Sequence, residues 1–143
     1  MQIIQVENDL ARLSRSVEQE KDYQIYMRDL KQEWHSVYDH ILHTKFSLEK
    51  KRNEAGKFFA FPPVSELTEI RKCVVRNDFP YYLDDGIQHW VLWKLGGDCN
   101  EEDIDVAREE IRAAIGAEEF LHWINPPHLK SLPDIDHVHF ICR

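Results

Sequence analysis

Only three cysteines occur in this chain of 143 residues, Cys73, Cys99 and Cys142, and they stand far apart. A disulfide framework needs paired thiols and a thiolate metal site needs C-x-x-C, so neither is expected, and a reduced, cytoplasmic setting follows. Glycine and proline are sparse too, at 5 and 6 residues, and neither occurs between Asn8 and Phe46. That whole segment is therefore free to be helical. Cations are in the minority, 18 against 26 acidic residues, for a formal charge of -8. Such a balance disfavours contact with nucleic-acid phosphates or an anionic membrane, and neither partner is expected. The cations that do gather, at Lys45, Lys50, Lys51, Arg52 and Lys57, read as a solvated helix face.

Long apolar runs are missing as well. The longest, Trp90 to Trp93, falls far short of the ~20 residues that span a bilayer. The opening MQIIQVENDLARL has neither a basic n-region nor a long h-region, so no secretion signal is expected. There is no Walker loop, dinucleotide glycine pattern, G-x-S-x-G elbow or H-E-x-x-H helix, which removes the enzyme classes readable from local motifs. No motif names a cofactor. With 43% hydrophobic residues and no repeat or linker, the chain predicts a single domain over 1–143. Residues 1–57 form its helical part and 58–143 a mixed part.

Between Asn8 and Phe46, Leu10, Leu13, Val17, Tyr23, Tyr26, Met27, Leu30, Trp34, Val37, Tyr38, Ile41 and Leu42 recur at helical spacing. One or two helices should fill the segment, with a break near Glu20 to Asp22 where the rhythm lapses. Ser47 to Lys57 is charged and reads as a frayed helix end or exposed loop. Ser65 to Asn77 reads as a short helix or irregular turn with Leu67, Ile70, Val74 and Val75 on one face. Ile87 to Leu95, bounded by Asp84-Asp85-Gly86 and Gly96-Gly97, predicts a buried strand. Asn100 is placed to cap a helix from Glu101 to Ile115 with Ile104, Ala107, Ile111 and Ile115 as its buried stripe and Gly116 as its stop. Phe120 to Ile124 fits a strand or a last helical turn. Asp136 to Cys142 alternates as a strand, with His137 and His139 on one face and Val138 and Phe140 on the other. The fold class expected is α+β, the N-terminal helices packed on a small, mainly antiparallel sheet.

Two clusters carry the side chains that could do chemistry. In the first, His89 shares a strand face with Val91 and Trp93, close after Asp84 and Asp85, while Trp90 points the other way. In the second, His137-Val138-His139 follows a stiff loop containing Asn125 and Ser131. An H-x-H pair can chelate zinc, attack phosphorus, or hold a hydrogen-bond network. Zinc would need a further ligand from His89, His122, His128, Asp84, Asp85, Asp134 or Asp136, and the spacing designates no metal site. Histidine-triad hydrolases alternate three histidines along a strand, but Ile135 and Ile141 occupy the flanking positions here. The candidate catalytic residues are therefore His89, His137 and His139. Candidate ligand-binding residues are Asp84, Asp85, Trp90, Trp93, Asn125 and Ser131. Phe79, Tyr81, Tyr82, Trp90, Trp93 and Trp123 either line an apolar pocket for a sugar ring or base, or fill the core.

The run Asn77, Asp78, Phe79, Pro80, Tyr81, then Gly86, Ile87, His89, Trp90 and Trp93, then Trp123, Asn125, Pro126, Leu129, Ser131, His137 and His139 resembles one family over residues 77–140. It is that of the DUF3605 proteins, also called N-acetylglucosamine-induced protein 1-like. The resemblance implies a source among fungi, other eukaryotes or large DNA viruses. The family name records induction by an amino sugar and implies no catalytic step.

Three readings follow. The first is a soluble binding or regulatory protein with a polar-aromatic pocket for a small phosphorylated or sugar-like ligand. The second is a hydrolase using His137 or His139 as base and Asp84 or Asp85 to orient it or to hold a metal. The third is a structural or interaction component whose N-terminal helices engage a protein partner or a second copy. The first is favoured, because neither the motifs nor the resemblance supplies a reaction.

Overall fold

The structure, a computed structural model, describes residues 16–78, 86–124, 132 and 134–143. Helix α1 spans Val17–Glu33 and α2 spans Val37–Phe46. At the start of α1 the Ser16 hydroxyl accepts from the Gln19 N–H and the Gln19 side chain accepts from the Ser16 N–H, a reciprocal cap. The break between the helices falls at Trp34 to Ser36, not near Glu20 to Asp22. Two contacts set it there: Ser36 caps α2 by accepting from the Asp39 N–H, and the preceding backbone is drawn sideways as the His35 N–H donates to the Phe58 carbonyl at 2.8 Å. Leu10 and Leu13 lie outside the described residues.

The charged stretch after α2 is neither a frayed end nor a loop. Strand β1 (Glu49–Arg52) pairs antiparallel with β2 (Phe58–Phe61), a hairpin that straddles the expected division at residue 57. Burial does not hold β1, whose four residues are all exposed. Instead the Asn53 side chain accepts from the Lys57 N–H to close the turn, with Gly56 at φ +78. Lys50 and Arg52 lie 4.3 and 4.2 Å from the Phe58 ring centre and Lys51 lies 3.5 Å from that of Phe61. Lys50, Lys51 and Arg52 of the basic patch thus form a cation-on-aromatic ribbon.

The main sheet contains β3 (Arg71–Arg76), β4 (Gln88–Leu95), β5 (Phe120–Trp123) and β6 (Ile135–Cys142) in the order β3-β4-β6-β5, antiparallel throughout. The α+β expectation is met. Strand β3 replaces the expected helical turn: only Val64–Glu66 winds, as a 3-10 turn, and Ile70 is 62% exposed. Pairing along the open edge of β4 supplies hydrogen bonds that outweigh the weak helical spacing.

Alternation gives the sheet two unlike faces. On one, Leu92, Val138 and Phe140 pack against Ile104, Ala107 and Ile111 of helix α3 (Glu101–Ile115). This helix begins and ends as expected, with Asn100 and Asp103 in a capping box and Gly116 left-handed at φ 70. Ile115, expected in the buried stripe, is 36% exposed, because the chain reverses at Gly116 and places Ala117 in the core instead. Asp103 is buried in the first turn, bonded to Lys94 at 2.7 Å and Lys72 at 3.0 Å. On the other face, Leu42 and Phe46 of α2 and Ala60 of β2 cover Leu95 and Ile135. The rest of that face meets α1 across a gap.

Candidate functional site

The pairing of β4 with β6 sets Val91 opposite His139 and Trp93 opposite His137, and β5 brings Trp123 opposite His139. His89 lies on the same face, and the Asn77 N–H donates to its carbonyl at 2.8 Å, extending the β3 edge. The imidazoles of His89, His137 and His139 therefore form a stripe. Nε2 of His89 is 2.9 Å from Nδ1 of His139, and the His139 ring stacks on Trp123 with centres 4.9 Å apart and planes 11° apart. His137 stands edge-on to His139 at 5.0 Å and lies against Trp93 at 5.2 Å.

Burial first, then the neighbouring His137 and His89, push the His139 imidazole down to about 3. It is neutral at physiological pH, and the bridge to His89 joins two rings through one proton. The Asn77 amide nitrogen lies 3.4 Å from the same His89 Nε2.

Above the stripe, between it and helices α1 and α2, is a cavity of about 360 Å³. Val91, Trp93, His137 and His139 make its floor. Tyr23, Tyr26, Met27 and Leu30 of α1 and His40, Ile41 and Lys45 of α2 make its roof, and Arg76, Asn77 and Asp78 close one end. The Tyr26 hydroxyl is 3.3 Å from His40 Nε2, and Lys45 Nζ donates to Asp78 Oδ2 at 2.9 Å. Burial and then the Asp78 charge raise the Tyr26 phenol, while burial, His43 and Lys45 lower the His40 imidazole. The walls thus offer ring nitrogens along the stripe and a Lys45–Asp78 ion pair at one end.

Comparison with known proteins follows from this geometry. A family model described as a protein of unknown function, DUF3605, matches residues 1–143. The chain belongs to the DUF3605 family. No curated protein matches it. The crystal structure of HTC1 is similar in fold, with a TM-score of 0.56 at 22% identity, over 99% of this chain and 82% of that one. At that identity the likeness speaks for the DUF3605 fold alone.

Of the residues singled out from sequence, the DUF3605 structure brings together His89, His137, His139 and Trp93. Trp90 does not join them: it lies on the opposite face, packed against the α3 core, with Nε1 donating to Gln88 Oε1 at 3.0 Å. The period of two that puts His89 on the same face as His137 and His139 puts Trp90 on the other. Asp84, Asp85, Asn125 and Ser131 lie outside the described residues, as do Phe79, Tyr81, Tyr82 and His128. Of the other suggested zinc partners, His122 is engaged with Arg108 at 2.8 Å and Asp136 with the Cys99 N–H at 2.8 Å. Among the described residues no group of three His, Cys, Asp or Glu is arranged to hold a metal ion. Also among them, no helix is long and apolar enough to cross a membrane.

The sequence reading missed Tyr26, His40 and Arg76 as cavity residues. It noted Tyr26 only as part of a helical stripe, and Lys45 only as part of a basic run. Asn77 and Asp78 stood in the family signature, which was the available signal.

Proposed function

We propose that this DUF3605 protein is a binding or regulatory protein whose cavity takes a small phosphorylated or sugar-like ligand. The observation that carries the reading is the cavity itself. At about 360 Å³ it falls within the ~300–1,000 Å³ of small-molecule sites. Aromatic surface from Trp93 and Tyr26 suits the apolar face of a sugar ring, and His40, His137 and His139 supply hydrogen-bonding groups. A hydrolase with His139 as its base is the weaker reading on physical grounds. A general base works best with its pKa near the operating pH, and the His139 imidazole is held at about 3.

The test is a binding panel of monosaccharides and their phosphomonoesters, followed by tryptophan fluorescence and thermal shift. Saturable binding by at least one member, weakened in both Trp93→Phe and His137→Ala, is expected. If no member binds, or if both variants bind as the parent does, the reading fails. Release of inorganic phosphate that disappears in a folded His139→Ala variant, with ligand affinity kept, would restore the enzyme in its place.

A further inference from the structure

Among the described residues, charge is already balanced at the charged end of the cavity. Lys45 Nζ donates to Asp78 Oδ2 at 2.9 Å, so the ammonium, on a side chain only 15% exposed, has its counter-ion. Arg76 borders the same end but adds no second cation to it. It stands opposite Trp90 in the β3–β4 pairing, and Trp90 packs on the α3 face. Its guanidinium is accordingly close enough to Cys142, buried on that face, to oppose the rise that burial gives the thiol. Two rings of the lining are held uncharged as well: burial, His137 and His89 take His139 down to about 3, and burial, His43 and Lys45 lower His40. A phosphate or carboxylate entering here would shed its water and meet a cation that is already matched.

The rest of the lining is mixed. Leu30, Ile41, Val91 and Trp93 are apolar, whereas Thr44 and Asn77 set a hydroxyl and an amide beside the ring nitrogens. A hydrocarbon ligand would strip water from those polar groups and return no hydrogen bond. We infer that the cavity selects an uncharged sugar, a ring with an apolar face for Trp93 and hydroxyls for the surrounding polar groups, and excludes the same sugar once it carries a phosphate or a carboxylate. This rests on the ligand-binding reading above and narrows it to the neutral ligand. The Lys45–Asp78 pair stays closed as the wall at that end and sets the preference.

Calorimetric titrations near neutral pH would use glucose and ribose, glucose 6-phosphate, ribose 5-phosphate and glucuronate, each at low and high salt. At least one neutral sugar should bind about tenfold or more tighter than its charged derivatives, with nearly the same Kd at both salt concentrations. Asp78→Asn, with folding checked by circular dichroism, leaves Lys45 without its counter-ion and should shrink that preference roughly three- to tenfold by drawing the phosphates in. A phosphate that binds the parent protein as tightly as its own sugar overturns this inference while the ligand reading stands. So does a preference unchanged in folded Asp78→Asn, because the matched pair is then not its cause. If that variant does not fold, the parent titrations decide by themselves. Absence of binding by every probe overturns both readings.

Discussion

Acidification should destabilise this fold through one imidazole in particular. His139 is held at about 3 in the folded chain by burial and by His137 and His89, against an ordinary value of ~6.5 once unfolded. Between those values the unfolded chain binds a proton that the folded chain refuses. The stability tied to neutral His139 is therefore fully present above pH ~6.5 and is lost as pH falls toward 3. The slope is at most ~1.4 kcal/mol per pH unit, so going from pH 7 to pH 5 costs about 2 kcal/mol, and nearer ~1 after allowing for residual exposure of the ring. For a urea slope of ~1–3 kcal/mol/M, a loss of ~1 kcal/mol moves the midpoint by roughly 0.5 M. Urea unfolding of the parent and of His139→Phe at pH 7, 6 and 5 isolates the contribution. The phenyl ring keeps the stack on Trp123 but cannot titrate. His40 and His122 are also lowered by burial, and their same-signed contribution cancels in the comparison. The variant should lose its hydrogen bond to His89 at pH 7 and then show the flatter decline. Parallel declines in the two proteins would refute the claim that His139 is kept neutral by its surroundings.

Other outcomes follow from named contacts. Lys94→Met removes the 2.7 Å bond to Asp103 inside a pair whose side chains are 8% and 6% exposed, and the carboxylate left behind should cost about 3 kcal/mol in urea unfolding. Burial alone would raise the Asp103 carboxyl, but hydrogen bonds from Lys94, the Asn100 backbone and Lys72 outweigh it and hold the group well below its usual range. Its stabilisation is present above pH ~4 and lost as pH falls further, so Asp103→Asn should lower Tm at neutral pH and flatten its fall between pH 4 and pH 2. Gly116→Ala should cost about 1 kcal/mol by chemical unfolding, all of it from the backbone, because φ is 70 and no atom lies within 4 Å of an added Cβ. Phe140→Ala, at a side chain with 0% exposure between the sheet and α3, should cost ~3–5 kcal/mol.

The parts of the fold legible in the sequence are those where local chemistry and burial agree. Helix α3 has a side-chain cap at Asn100, acids in its first turn and a glycine stop, and each works locally whatever the tertiary context. Strands β4 and β6 occupy the middle of the sheet, so both of their faces are buried and their apolar content is high. The edges were harder. Strand β3 is only half-buried and its Arg71, Lys72 and Arg76 resemble a solvated turn. Strand β1 has no buried residue at all, and its stabilising partners, Phe58 and Phe61, come from the other side of a turn. The helix break at Trp34 to Ser36 depends on a backbone bond to Phe58 and leaves no glycine or proline to mark it. Within the site, the stripe of His89, His137 and His139 was readable from a period of two. The roof was not, because which residues of α1 and α2 face the sheet is decided by how the helices sit on it.

A sheet face that needed only to be filled would carry hydrocarbon, as the opposite face does with Leu92, Val138 and Phe140. Three imidazoles in such a place cost stability unless each polar nitrogen is matched. Two benefits could offset that cost. One is register: a slip of one residue between β4 and β6 would break the 2.9 Å bridge between His89 and His139 and turn the imidazoles toward the α3 core. The other is the cavity. His137 separates the two, since it lines the cavity and stands outside that bridge. His137→Phe keeps a ring against Trp93, now 5.2 Å away, and removes only the polar nitrogens. If the stripe serves the cavity, the variant should keep or raise Tm while its affinity for a neutral monosaccharide falls roughly three- to tenfold, the worth of one hydrogen bond. If affinity is unchanged, the stripe is a folding device, and the outer faces of α1 and α2 become the surface to test for a protein partner.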